Sequence, residues 1–219
     1  MQKKTLLSAL AGLLMMATPA LATTVTFDDL NVPEHEPGEK LIPAGMTYSG
    51  LQWENFGALN PQIAYQSWQS DYDRLQDYPE DWIAFNLNGY PAAISSDQEW
   101  TWDGMWATAA WTGGVDLLQI TGTLNGNEVF NRLVPLQDYS STWISGEEQV
   151  TVDTLSFVMC RMDGYGNFVP ESQAWFGMDD FEYHRVAPVP EPATLLLFGS
   201  GLAALAGTGM KKKKKENVE

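Results

Sequence analysis

The stretch VDLLQITGTLNGNEVFNRLV, at residues 115–134, decides the fold class of this chain. It consists of two runs rich in β-branched and other apolar residues, 115–124 and 128–134, which flank Asn125-Gly126-Asn127. Asn and Gly tolerate the positive φ angles that a tight turn between antiparallel strands requires. The stretch therefore predicts a β-hairpin.

Further strand signals lie on both sides of this hairpin. Short β-type runs occur at 25–27, 82–87, 155–159 and 175–178. Turn signals that contain Gly or Pro occur at 43–45, 88–91, 112–114 and 163–167. Short strands separated by such turns are typical of all-β domains. We therefore expect an antiparallel β-sandwich or jelly roll.

The N-terminus has the features of a secretory signal peptide. Lys3 and Lys4 precede an apolar stretch at 6–17, and Ala20-Leu21-Ala22 supplies a small-x-small cleavage site for signal peptidase. The stretch is too short to span a membrane and a cleavage site follows it directly. The exported chain is therefore expected to begin at Thr23.

The C-terminus carries three features in order. Val189-Pro190-Glu191-Pro192 precedes an uncharged apolar run at 193–210, and five lysines follow at 211–215. A helix over this run is about 27 Å long at roughly 1.5 Å per residue, slightly less than a hydrocarbon core of roughly 30 Å. The lysines are expected to stay on the cytoplasmic side, which leaves the rest of the chain outside.

These terminal features divide the chain into five parts. The expected organisation is a signal peptide at 1–22, a β-sandwich domain at 23–186, a linker with the Pro-Glu-Pro motif at 187–192, a transmembrane sorting helix at 193–210 and a basic cytoplasmic tail at 211–219.

The C-terminal segment resembles the PEP-CTERM sorting signal of Gram-negative bacteria. That resemblance rests on the Pro-Glu-Pro motif, the apolar run and the lysine cluster. It implies that an exosortase handles the chain at the inner membrane, cuts near the motif and releases the product to the cell surface or the exopolysaccharide matrix. The alternative is an ordinary single-pass membrane anchor.

Between the terminal signals, the chain is strongly acidic. Residues 23–188 hold five lysine and arginine side chains against 25 carboxylates. Nucleic acid is not an expected partner, because its binding needs clustered cations. An acidic extracellular surface favours divalent cations, calcium in particular. Cys160 is the only cysteine, so no internal disulfide forms, and we expect it to be buried in a strand.

Two pairs of adjacent aspartates bracket the domain and are the candidate calcium ligands. Asp28 and Asp29 end the first predicted strand, and Asp179 and Asp180 lie in the last one. Terminal strands often lie side by side in a sandwich, and carboxylates are natural calcium ligands. The pattern also resembles carbohydrate-binding-module jelly rolls, whose final strand helps to hold a structural calcium. The alternative is that these side chains face water or cap turns.

Tryptophan is abundant, with nine residues in the chain. Trp100 and Trp102 are predicted to share a strand face next to Asp103, a combination that can stack on a sugar ring and bind its hydroxyl groups. Most tryptophans of a sandwich fill its core, and we expect Trp68 and Trp106 to be the more exposed ones.

No enzyme signature is present. The sequence lacks Gly-x-Ser-x-Gly, His-Glu-x-x-His and phosphate-loop motifs and has two histidines. The chain is therefore interpreted as a non-enzymatic exported protein, structural or polysaccharide-binding, with exopolysaccharide as the expected partner. Because two carboxylates are enough for glycoside hydrolysis, a polysaccharide-modifying hydrolase is the alternative.

The sorting hypothesis makes a direct prediction. We expect protein released from cells to lack residues 211–215, and we expect Glu191→Ala to leave an uncleaved form in the membrane because it alters the Pro-Glu-Pro motif. Intact-mass measurement and cell fractionation check both results. Released wild-type protein that still ends at Glu219 would contradict the hypothesis.

Overall fold

The computed structural model describes residues 22–63, 82–110, 116–136, 140–147, 149–162, 168–170 and 174–186. All of them belong to one compact unit, Leu21–Val186. The strands are β1 Thr23–Val25, β2 Glu34–Glu36, β3 Glu39–Leu41, β4 Met46–Tyr48, β5 Leu51–Glu54, β6 Phe56–Leu59, β7 Ile83–Asn86, β8 Ala92–Ala110, β9 Asp116–Leu124, β10 Asn127–Leu136, β11 Thr142–Ser145, β12 Thr151–Met162, β13 Phe168–Pro170 and β14 Trp175–Arg185. A 3₁₀ turn, Leu87–Gly89, follows β7.

The predicted hairpin is confirmed. Strands β9 and β10 pair antiparallel from Asn127 opposite Leu124 onward. The two turn residues, Asn125 and Gly126, have φ angles of 53° and 75°, which only a primed two-residue turn combines. The carboxylate of Asp153 accepts a 2.6 Å hydrogen bond from the Asn125 backbone N–H, so the turn is also fastened to β12.

The strands form an antiparallel β-sandwich, as the sequence predicts. The hydrogen-bonded order is β10-β9-β12-β8-β14-β7-β6-β3-β2. Near its start, β8 pairs with β12 and β5, and near its end it pairs with β14 and β11. A strand that changes partners in this way connects the two layers of a sandwich at a corner.

One β-bulge interrupts the β14 side of the pairing with β8. Asp179 lies opposite Trp106, and Glu182 lies opposite Gly104. Between these two pairs β14 has two residues and β8 has one, so β14 carries the extra residue. Asp180 has a φ angle of 45° within this bulge, which is a conformation that Asp tolerates better than most residues.

A second bulge follows at once on β8. Glu182 lies opposite Gly104 and Tyr183 opposite Trp102, so here β8 carries the extra residue, Asp103. The two bulges restore the register between the strands. They also reverse which side chains of each strand face the core.

The reversal is visible in the burial of β8. Trp100 and Trp102 are buried before the bulge, and Met105 and Ala107 are buried after it. Even-numbered residues therefore face the core first and odd-numbered residues afterwards, which leaves Trp106 on the outer face.

Aromatic side chains from both layers fill the core. Trp53 of β5 meets Phe56 and Phe181 edge to face, with ring centroids 5.2 and 5.8 Å apart. Phe56 also approaches Phe157 of β12 and Phe176 of β14 at 6.1 and 6.2 Å. Edge-to-face pairs of this kind contribute about 0.5–1.5 kcal/mol each beyond the burial of their area.

The terminal strands lie side by side, as expected for a sandwich. Strand β1 pairs antiparallel with β14, with Val25 opposite Phe181. The strand ends at Val25, two residues earlier than predicted, because Phe27 has a φ angle of 64° and turns the chain away from β14. Cys160 is buried in β12, as expected.

Several predicted features lie outside the described residues. They include the signal peptide, the Pro-Glu-Pro motif, the helix expected at 193–210 and the turns at 112–114 and 163–167. In the part of the chain that is described, no helix is long and apolar enough to cross a membrane.

Gly146 provides a test of the packing around the second bulge. A Cβ atom at this position would lie 1.9 Å from the backbone oxygen of Trp102. We expect Gly146→Ala to lower the free energy of unfolding by about 3 kcal/mol, because backbone atoms cannot move aside cheaply. Urea unfolding measures the loss.

Gly126→Ala is the matched control for this prediction. A Cβ atom there meets nothing within 4 Å, although φ is +75°. The cost should be about 1 kcal/mol, from backbone strain alone. Equal losses in the two variants would contradict the close approach at Gly146.

Candidate binding face

The outer face of the sheet formed by β3, β6, β7, β14 and the end of β8 carries the candidate functional residues. On β14, the core takes Phe176 and Met178, so Trp175, Gly177 and Asp179 point outward. Strand β11 extends this face beyond β8 through the pairing of Trp143 with Trp106.

Two exposed tryptophans sit next to each other on this face. Trp106 and Trp143 each keep 36% of their surface exposed. Their ring centroids are 5.5 Å apart and the ring planes meet at 66°. A pair of partly exposed indoles side by side on the surface of a domain is a candidate contact surface.

Gly104 makes room for this pair. A Cβ atom at Gly104 would lie 2.4 Å from Cζ2 of Trp143, so the Trp143 indole lies directly against the backbone of β8. Any other residue at this position would displace the ring. The bulge thus places a glycine and an exposed tryptophan, Trp106, on the same face.

Polar groups lie close to Gly104, which is beneath the tryptophan pair. Nδ1 of His184 lies 2.9 Å from both carboxylate oxygens of Asp103. Glu182 is the cross-strand neighbour of Gly104. Arg132 donates a 2.7 Å hydrogen bond to the backbone oxygen of Ser145, which braces β11 from the side of β10. Polar side chains thus lie next to Gly104 in sequence and across the strands, and a braced backbone lies beneath the Trp143 ring.

The predicted tryptophans divide into three groups. Trp106 is exposed, as expected. Trp100 and Trp102 are buried, at 0% and 1% exposure, so their prediction as ligand-binding residues is wrong: both face the core ahead of the bulge. Trp68 lies outside the described residues.

Sequence reasoning missed Trp143. Its signal was weak, because Thr142–Ser145 is a strand of only four residues. The segment TWIS does alternate, with Ile144 buried and its neighbours more exposed, and this pattern predicts an outward Trp143. What the pattern cannot supply is the partner strand, and hence the contact with Trp106.

The aspartate pairs end up in different surroundings. Asp28 accepts a 2.9 Å hydrogen bond from the backbone N–H of Trp82, and Asp29 accepts one from the Tyr48 hydroxyl. Burial raises the pKa of the Tyr48 hydroxyl, and the hydrogen bond to Asp29 raises it further.

The second pair sits at the β14 bulge. Asp179 is 5% exposed, and its carboxylate accepts a 2.7 Å hydrogen bond from the Asp180 backbone N–H. Among the described residues, no three His, Cys, Asp or Glu side chains come close enough together to hold a metal ion. Calcium can also use backbone carbonyls, so a calcium site at these positions stays a prediction.

A cleft lies farther along the same outer face. It encloses about 520 Å³ and is lined by His35, Glu36, Glu39, Leu41, Leu59, Phe85, Leu87, Asn88 and Trp175. Its floor is apolar, since Leu59 and Phe85 pack together with Ile83 and Ala110 in a cluster separate from the main core. Its rim is polar and acidic.

A family model supports the interpretation of the C-terminus. The PEP-CTERM protein-sorting motif matches residues 188–212. The chain thus carries the sorting signal that its sequence resembles, and the motif indicates an exported protein. No curated protein matches the sequence.

Solved structures with a similar fold are known. A DUF4465 family protein from Bacteroides caccae has a TM-score of 0.50 and 13% identity, over 76% of this chain and 100% of that one. TmCBM61 in complex with β-1,4-galactotriose has a TM-score of 0.33 and 13% identity, over 64% of this chain and 90% of that one. The CBM22-1 xylan-binding domain of Paenibacillus barcinonensis Xyn10C has a TM-score of 0.39 and 9% identity, over 79% of this chain and 99% of that one. The likeness to the DUF4465 protein, which extends over the whole of that chain, shows a shared fold.

Proposed function

We propose that this exported protein binds a polysaccharide of the cell surface or extracellular matrix through the outer face of its sheet. The observation that carries the proposal is the exposed pair of Trp106 and Trp143, held 5.5 Å apart over Gly104. A rigid indole covers the apolar face of a sugar ring, while neighbouring polar groups bind the hydroxyls.

The charge of the domain narrows the class of polysaccharide. With 25 carboxylates and five fixed cations in residues 23–188, the domain repels polyanions. A glycan rich in uronate or sulfate is therefore a poor ligand without bridging cations. Neutral glycans, or glycans that carry positive charges, suit this surface better.

Sorting by an exosortase supports the proposed location. The motif at 188–212 suggests such sorting, and release from the membrane would place the domain where polysaccharide is present. We propose binding rather than hydrolysis. Incubation of the protein with the polysaccharide, followed by measurement of reducing ends, separates the two, because only a hydrolase produces new ends.

The tryptophan pair gives the central prediction. Trp106→Ala combined with Trp143→Ala should weaken binding of the producing bacterium's exopolysaccharide by at least about tenfold, or about 1.4 kcal/mol, because the stacking surface is lost. Tryptophan fluorescence of the wild type and calorimetry of both proteins provide the measurement. A single domain is expected to bind with a dissociation constant on the order of micromolar to millimolar.

Tyr90→Ala is the control for an exposed aromatic residue elsewhere, since Tyr90 is 51% exposed. The Tyr90→Ala variant should bind the exopolysaccharide with the same affinity as the wild type. Melting curves show whether each variant is folded. Unchanged affinity in a folded double variant would reject the pair as a binding site and would favour a purely structural role in the matrix.

Calcium binding by the aspartate pairs is a second proposal. A ligand in hundredfold excess over its dissociation constant stabilises a fold by about 2.7 kcal/mol, so millimolar calcium should raise the melting temperature, and magnesium should do so less. Asp180→Asn should abolish most of the shift. Asn is the suitable replacement because φ at this position is 45°, which Asn tolerates.

The control for calcium is Asp97→Asn, which changes an exposed carboxylate on β8. It should leave the calcium-dependent shift intact. Identical melting curves in calcium and in chelator, at equal ionic strength, would show that the aspartates are only hydrated or hydrogen-bonded.

A further inference from the structure

The cleft on the outer face has the size and chemistry of a binding site distinct from the tryptophan pair. Its volume of about 520 Å³ falls within the range of roughly 300–1,000 Å³ that is usual for small-ligand sites. It is open on the surface that also carries Trp106, and its lining residues share none with the tryptophan pair.

The floor of the cleft depends on Gly57. A Cβ atom there would lie 2.6 Å from Cε1 of Phe85 and 2.9 Å from Cδ2 of Leu87. The absence of a side chain lets both residues lie over strand β6. Over the buried Leu59 and Phe85, the partly exposed Leu87 and Trp175 form a floor that suits the apolar face of a sugar ring.

The rim of the cleft comes from the hairpin of β2 and β3. Glu36 and Glu39 flank its tight turn, where Gly38 has a φ angle of 80°. Burial raises the pKa of the Glu39 carboxyl; His35 counteracts this and the charge of Glu36 adds to it. A cation bound beside Glu39 would compensate for the hydration that its carboxylate loses.

None of the described residues that line this cleft is a lysine or an arginine. The nearest one in sequence, Lys40, points the other way, since adjacent strand residues face opposite sides. Its Nζ donates a 2.9 Å hydrogen bond to the backbone oxygen of Leu30 and lies 3.9 Å from the centroid of the Trp82 ring. Among the described residues, no lysine or arginine forms an ion pair with either of these two glutamates.

We propose that the cleft binds a hexosamine unit of a glycan, with its protonated free amino group beside Glu36 and Glu39 and its ring over the apolar floor. This inference rests on the proposed function of the same face and names a chemical preference within it. An amine of this kind makes charge-assisted hydrogen bonds to carboxylates.

The cleft and the tryptophan pair lie within reach of one polymer. Trp175, in the cleft, is four residues from Asp179 along β14, which is about 13 Å at roughly 3.3 Å per residue. Asp179 is the cross-strand neighbour of Trp106. A glycan several units long can therefore contact both places, with the amine at one and a stacked ring at the other.

Two matched probes test the preference. One is a β-1,4-linked tetramer of glucosamine, and the other is its N-acetylated counterpart, which has no charge. Calorimetry on the full-length protein in mild detergent, in a buffer acidic enough to protonate the amines, should give at least about tenfold tighter binding of the free-amine tetramer, as expected for one charge-assisted contact.

Two double variants test whether the preference for the free-amine tetramer arises in the cleft. Glu36→Gln with Glu39→Gln should abolish the difference between the tetramers. Glu54→Gln with Glu128→Gln changes the net charge equally at two exposed sites elsewhere and should preserve it. Equal affinities of the two tetramers, no binding of either, or an equal loss in both double variants would each overturn the proposal.

This outcome is separable from that of the proposed function. An unchanged exopolysaccharide affinity in the Trp106 and Trp143 double variant counts against the proposed function alone. Equal affinities of the wild-type protein for the two tetramers count against the cleft alone, because the tryptophans are in place in that experiment.

Discussion

The two-residue periodicity of strand β8 is the constraint on which the rest of this domain depends. A strand of this length, Ala92–Ala110, would present the same set of side chains to the core throughout unless a bulge intervened. The extra residue Asp103 on β8 is matched by an extra residue on β14. Beyond it, the odd-numbered residues of β8 face the core, and the even-numbered ones, which faced the core before it, face outward. The first half contributes tryptophans to the core, and the second half contributes small residues to the core and an indole to the surface. One irregularity thus creates both the packing and the outer face.

Several cations in the described part of the domain hold its own backbone. Three of them each donate to a backbone carbonyl oxygen of another segment: Lys40 to Leu30, Arg132 to Ser145 and Arg185 to Gly50. Hydrogen bonds from charged donors to uncharged acceptors are stronger than neutral ones. These three positive charges therefore fix loops and edges, while the more numerous carboxylates set the potential of the surface. An acidic surface and a well-braced sandwich follow from the same distribution of charge.

Local patterns predicted much of this fold. The Asn125-Gly126 turn, the alternation of the later strands and the sorting motif are all encoded within short segments, so they can be recognised without knowledge of the partners. The pairing of the terminal strands followed from the general layout of a sandwich. The burial of Trp100 and Trp102 was not predicted as part of a ligand site, because the even spacing of these residues and Trp106 suggests a common face. Only the compensating bulges, which depend on two strands far apart in sequence, separate Trp106 from the others.

The position of β14 decides which strands a pull on the chain beyond Val186 would load first. Tension on the chain beyond Val186 enters along the axis of β14, which is bonded to β8 on one side and to β7 and β1 on the other. Antiparallel neighbours pulled along their length resist in shear, so many ladder hydrogen bonds stretch together instead of opening one at a time. Arg185 is the last residue of β14, where the tension enters. Its Nη2 donates a 2.6 Å hydrogen bond to the Gly50 backbone oxygen and so ties this end of the strand to another segment.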